Sequence, residues 1–104
     1  MRLINRFQIT GNIGSIAPFE KSLKINVATN RHWTQENSER KEATDWVQIT
    51  VLDERQIAYL KENAKQGDVI QAEGRISNNS YQRNGETVYT TDLIASLVNL
   101  FGDK

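Results

Sequence analysis

Between residues 44 and 52 the chain alternates without a break. Val47, Ile49 and Val51 fall on one face of an extended strand; Thr44, Trp46, Gln48, Thr50 and Leu52 fall on the other. Folding buries the aliphatic face, which leaves Trp46 among polar side chains on the far one. A large flat ring in that position suits stacking on bases or sugars. The plainer reading is a second, smaller packing layer over the ring, since tryptophan is well buried on average. Other aromatics have to decide between the two.

The same kind of pattern organises the rest of the chain. Residues 3–13 read as a first strand, with Phe7, Ile9 and Ile13 in phase and Gly11 among them. Gly14 marks a bend before a turn region over 15–22 that holds the only proline, Pro18. Leu23, Ile25 and Val27 alternate with Lys24, Asn26 and Ala28 in a second strand running toward Thr29, with Trp33 just beyond it. Residues 34–43 are polar and aperiodic and read as a long hairpin tip. After Leu52 the period changes: Asp53 is a helix cap with Gln56 three residues on, Ile57, Leu60 and Ala64 share a helical face, and Gly67 ends the helix. Residues 69–76 resume strand character, and Asn84-Gly85 is a type I′ hairpin signal ahead of a last strand over 87–97.

A two-residue turn at Asn84 and Gly85 dictates partners across the hairpin. Tyr81 faces Val88, Asn79 faces Thr90, Ser77 faces Asp92 and Arg75 faces Ile94 on one side; Gly74 meets Ala95 and Ile76 meets Leu93 on the other. The second set is smaller and more apolar, so it is the core side, and Tyr81 and Arg75 share the outer face. Three strands, one helix and two strands is the order of an all-β five-stranded OB-fold barrel with its helix between strands 3 and 4. Residues 1–104 are expected to form a single such domain, since 104 residues at 38% hydrophobic content support one core.

Charge narrows the choice of ligand. Thirteen basic residues balance thirteen acidic ones, which excludes a polybasic binder and leaves a nucleic-acid site dependent on local patches and stacking. With no cysteine and one histidine, His32, neither a disulfide framework nor a cysteine- or histidine-rich zinc site can be built, and no metal or cofactor is expected. The start of the chain has no apolar signal run and no stretch reaches membrane-spanning length, so a cytoplasmic protein without membrane contact is expected.

The residues at this point resemble the bacterial-type single-stranded DNA-binding proteins over nearly the whole chain. The matches are ordered: Gly11-Asn12-Ile13-Gly14, Val27-Ala28-Thr29-Asn30 followed by Trp33, Thr44-Asp45-Trp46, Glu73-Gly74-Arg75 and Tyr89-Thr90-Thr91-Asp92. The resemblance implies an OB fold that binds single-stranded DNA with little sequence preference, in replication, recombination or repair, without catalysis. It also implies assembly as a homo-oligomer, with the tetramer favoured and a dimer possible. By position, Trp33 and Trp46 are similar to two base-stacking tryptophans of the family, Tyr81 falls where a third is usual, and Leu52 replaces a phenylalanine. Arg6, Arg31, Arg75 and Arg83 are the cations placed for phosphate.

Several departures accompany the match. The hairpin around Tyr81 carries Ser77, Asn79 and Ser80 where the family commonly has cations, which implies a smaller salt slope, about 0.7 per phosphate lost. Val47 replaces a histidine that the family uses at a subunit contact. Ile94 and Val98, with Leu100 and Phe101, form an apolar strip toward the terminus; it is expected at an oligomer interface, or else folded over the chain's own barrel. The family usually continues into a flexible tail with an acidic tip that recruits repair enzymes, whereas this sequence stops at Phe101-Gly102-Asp103-Lys104, so no tail-mediated recruitment is expected.

No catalytic constellation is present: His32 has no paired nucleophile, and Glu36, Glu39, Glu42 and Asp45 alternate with Arg40 and Lys41 as a solvated hairpin does. The competing reading is an OB-fold adaptor of the primosomal replication protein type that mainly binds proteins. Retained Trp33 and Trp46 argue against it; net neutrality and the cation-poor hairpin argue for it.

Overall fold

Apolar residues at every second position give strands with one face to bury, and here those faces close on one another. The computed structural model describes residues 1–102; Asp103 and Lys104, on which the expectation about a tail rested, lie outside the described residues. The elements are β1 (Phe7–Pro18), β2 (Leu23–Thr34), β3 (Arg40–Val51), α1 (Glu54–Asn63), β4 (Val69–Arg83) and β5 (Glu86–Gly102). The strands form a closed barrel in the order β1-β2-β3-β5-β4, with β3 and β5 parallel and the other neighbours antiparallel. This is the expected OB topology.

Inside it lie Ile13, the alternating Leu23, Ile25 and Val27, then Ile49, Val51, Ile70, Ala72 and Ala95, with Leu60 delivered by the helix. Asp53 caps that helix as expected, its Oδ2 accepting from the Gln56 amide at 3.0 Å. The helix stops at Asn63, with Ala64 as its C-cap, several residues before the expected Gly67.

The strand ends differ from the sequence expectation in one consistent way: pairing continues into polar segments. Trp33 lies within β2, paired with Lys41, and the expected ten-residue tip contracts to residues 35–39, closed by the Gln35 amide on the Glu39 carbonyl at 2.9 Å. β4 also runs past its apolar stretch, which ends at residue 76, to Arg83, in the hairpin register expected from the Asn84-Gly85 turn. Backbone ladders do not require apolar side chains, so a two-stranded arm solvated on both faces carries no hydrophobic period to read.

At the start of the chain the opposite happens. Strand pairing begins at Phe7, because the Asn5 carboxamide takes the place of a backbone partner, donating to the Ile76 carbonyl at 2.8 Å and accepting from its amide at 2.9 Å. Gly14 is a bulge rather than the end of a strand: the register shifts between Ile13 and Ser15 and β1 continues to Pro18. The turn that follows is short, closed by the Phe19 amide on the Ser22 carbonyl at 2.8 Å.

All six hairpin pairs expected from the Asn84-Gly85 turn are present, and both turn residues have positive φ, 52° and 79°. Of the core-side set, Ala95 is buried, but Ile76 is 42% exposed because it sits where β4 leaves the barrel. Val98 and Leu100 fold against the barrel's own core, so the apolar strip of β5 reduces to exposed Leu97 and Phe101.

Candidate nucleic-acid interface

The outer face of β3 carries Trp46, and the register explains how its ring is held. Its cross-strand partner on β2 is Ala28, whose own partner on β1 is Asn12. The ring reaches past Ala28 and lies over Gly14, where any side chain would overlap it. Trp46 therefore rests on the protein while remaining 62% exposed. The small residues beneath it are a signal that the sequence contains, but it becomes readable only once the β1–β2–β3 register is known.

Trp33 occupies the opposite face of the same arm, since it shares the alternation of Val27 and Arg31 while Trp46 shares that of Ala28. The Arg31 guanidinium stands 5.0 Å from the centre of the Trp33 ring, and its Nε donates to Asp45 Oδ2 at 2.9 Å. The ring is 41% exposed. On the Trp46 face the ladder continues with Thr44 donating to Asn30 at 2.9 Å and His32 against Glu42 at 3.4 Å. The structure thus joins Arg31 to Trp33 and sets both apart from Trp46.

Leu52, one residue beyond β3, lines a cleft of about 310 Å³ with Lys24, Thr50, Arg75, Ser77, Asn79, Asp92 and Ile94. Arg75 and Ile94 also line an adjoining hollow of about 280 Å³ that contains Asn5 and Arg6. Arg6, Arg75 and Leu52 are therefore brought along one groove, with Ile94 in it rather than on a separate surface. Lys24, paired with Thr50, is a groove cation that the strand pattern alone did not single out. Asp92 is the opposing charge, engaged by Asn79 at 2.6 Å and Thr90 at 3.3 Å.

Farther along the outer face of the β4–β5 arm come Tyr81, 49% exposed, and Arg83 opposite Glu86. Tyr89, a further exposed ring, lies on the other face of that arm, opposite Ser80. Of the residues expected at a subunit contact, Val47 is half-buried opposite Val27 and Val98 packs on the core.

Among the described residues no group of three or more histidine or acidic side chains is placed to hold a metal ion. No helix among them is long and apolar enough to cross a membrane. What the surface offers is flat rings, apolar floor and spaced cations, the parts that bind an extended polyanion with unstacked bases.

Comparison with known proteins agrees with that inventory. The model of the family described as "Single-strand binding protein family" matches residues 4–101. A single-stranded DNA-binding protein of Rickettsia felis is 24% identical over 104 residues, spanning 92% of this chain and 68% of its own. Among solved structures, a Plasmodium falciparum SSB in complex with ssDNA is similar at a TM-score of 0.76, with 20% identity, 100% of this chain covered and 98% of its own. The mitochondrial single-stranded DNA binding protein Rim1 of S. cerevisiae is similar at a TM-score of 0.69, with 27% identity over 96% of this chain and 97% of its own.

Proposed function

The chain belongs to the single-strand binding protein family, and from that premise we propose that residues 1–104 act as one OB domain that binds and protects single-stranded DNA in replication, recombination or repair. The protein is a binding protein and not an enzyme. Bases stack on Trp46, Trp33 and Tyr81 and make apolar contact with Leu52, while Arg6, Arg75 and Arg83 take phosphates; Arg31 joins them when it leaves Asp45. Stacking is sequence-tolerant because every base has a π-face, and it is worth about 1–3 kcal/mol per base.

The observation that carries this reading is the Trp46 ring, supported beneath by Gly14 and open to solvent. An open π-face backed by the protein is what a base needs to stack, and this favours the stacking reading over the protein-binding adaptor. Assembly as a homo-oligomer is supported by the short groove of a single OB domain, about 4–16 nucleotides, and the gain from joining several; tetramer before dimer rests on the family resemblance alone. The subunit contact uses exposed Leu97 and Phe101 with half-buried Val47, because Val98 packs on the barrel's own core and Ile94 lines the groove, and the protein works in the cytoplasm.

The test is intrinsic tryptophan fluorescence during titration with oligo(dT), at low and at high salt. Strong quenching with a moderate salt dependence is expected. Unchanged fluorescence at saturating oligonucleotide would overturn stacking and return the adaptor reading.

A further inference from the structure

Every ring proposed to stack in the β2–β3 arm is built the same way: backed on one side by the protein, open enough on the other to meet a base. Trp46 has Gly14 behind it and Trp33 has Arg31. One more ring in the molecule has this construction. Phe19 sits in the β1–β2 turn, 54% exposed, with the Lys24 ammonium 5.7 Å from its centre, within reach of a cation–π contact. The hydrogen bond from its own amide to the Ser22 carbonyl fixes the turn that presents it.

Its position relative to the groove matters as much as its exposure. Lys24 lines the cleft that holds Leu52 and Arg75. The neighbouring turn residues Glu20 and Lys21 line a further hollow, of about 370 Å³, that again includes Leu52. Leu52 is thus the hinge point of a continuous surface from Arg6, past Arg75, to the β1–β2 turn. Leucine offers a base apolar contact but no π-face, so this end of the groove has no platform of its own at position 52.

We propose that Phe19 is a further nucleobase-stacking platform, with Lys24 as its phosphate contact, at the end of the groove beyond Leu52. The inference rests on the single-stranded DNA reading above. A base leaving Leu52 stacks on the open side of the Phe19 ring, and Lys24, already against that ring, neutralises the adjoining phosphate. The turn thereby supplies the aromatic contact that position 52 lacks.

The experiment measures affinity for oligo(dT) of increasing length in the wild type, Phe19→Ala, Phe19→Tyr, Lys24→Gln and Trp46→Ala. For oligonucleotides long enough to reach the turn, Phe19→Ala is expected to weaken binding about five-fold or more. Phe19→Tyr, which keeps the ring, stays near the wild type, and Lys24→Gln lowers the salt slope by about 0.7. Affinity unchanged in Phe19→Ala while Trp46→Ala weakens it overturns this inference alone; a wild type that does not bind oligo(dT) overturns the parent reading as well. A second measurement does not depend on the alanine variant folding. In Phe19→Trp combined with Trp33→Phe and Trp46→Phe, the single indole is quenched by oligo(dT) if it stacks, and unquenched emission with bound oligonucleotide overturns the proposal.

Discussion

The ring of Trp46 on β3 lies over Gly14 on β1, two strands away in the barrel wall, so that a residue with no side chain determines where the most exposed tryptophan points. Gly14 does not have positive φ, which means its backbone accepts an alanine and only the space above it is lost. Gly14→Ala should lift or tilt the ring. The expected outcome is a loss of oligo(dT) affinity approaching that of Trp46→Ala, with a smaller change in thermal stability than a core substitution produces. Equal affinity in Gly14→Ala and the wild type would show that the ring finds its binding pose without this support.

Trp33 and Trp46 share an arm but not a face, so they cannot stack on one another and have no side-chain contact to lose. Trp46→Ala and Trp33→Ala are each expected to cost about 1–3 kcal/mol of binding to a long oligonucleotide. In the double variant the two losses should add within about 0.5 kcal/mol. A marked shortfall from additivity would mean that the strand engages one ring at a time.

Arg31 is held by Asp45 at 2.9 Å, with both side chains more than half exposed. An exposed pair of this kind contributes at most about 1 kcal/mol to stability, but it occupies a guanidinium that a phosphate could use. Asp45→Asn therefore should tighten binding to oligo(dT) and steepen the salt dependence by about 0.7, with little change in melting temperature. Weaker binding in that variant would show that Asp45 serves to position Arg31 against Trp33 for stacking.

The sequence made some of this legible and hid the rest for physical reasons. Asn84 and Gly85 are residues that tolerate positive φ, and a two-residue turn leaves one register, so each partner from Arg75 and Ile94 out to Tyr81 and Val88 could be read in advance. Leu23, Ile25 and Val27 announced a strand because one face of it is buried. Residues 34 and 40–43 announced no strand, because their side chains are largely solvated and no apolar alternation marks them, and the outer half of β4 was legible only through the turn at its end. Trp33 was consequently placed outside the strand that contains it. Asn5 reads as an ordinary polar residue until its two hydrogen bonds to Ile76 are seen, and Gly14 reads as a bend until the register across β1 and β2 shows a bulge. The support under Trp46 and the groove linking Arg6 to Leu52 join residues far apart in the chain, and no local pattern encodes such contacts.

The β4–β5 arm should separate binding from barrel stability. Beyond Ile76 and Leu93 it is a two-stranded ribbon, held at its far end by the Asn84-Gly85 turn and along its length by contacts such as Thr91 to Asn78 at 2.9 Å. Gly85 has φ of +79°, so a β-branched residue there is strained, and the strain falls on the turn rather than on the core. Gly85→Val is expected to fray the arm from its tip and with it the placement of Tyr81 and Arg83, while the buried set around Ile25, Ile49 and Leu60 remains closed. Amide exchange should accelerate from residue 78 to 90 and stay slow in β1 and the barrel halves of β2 and β3. Oligo(dT) affinity should fall about five-fold or more if Tyr81 stacks on a base. An arm that frays without any loss of affinity would remove Tyr81 and Arg83 from the binding surface and leave the work to the groove and the β2–β3 arm.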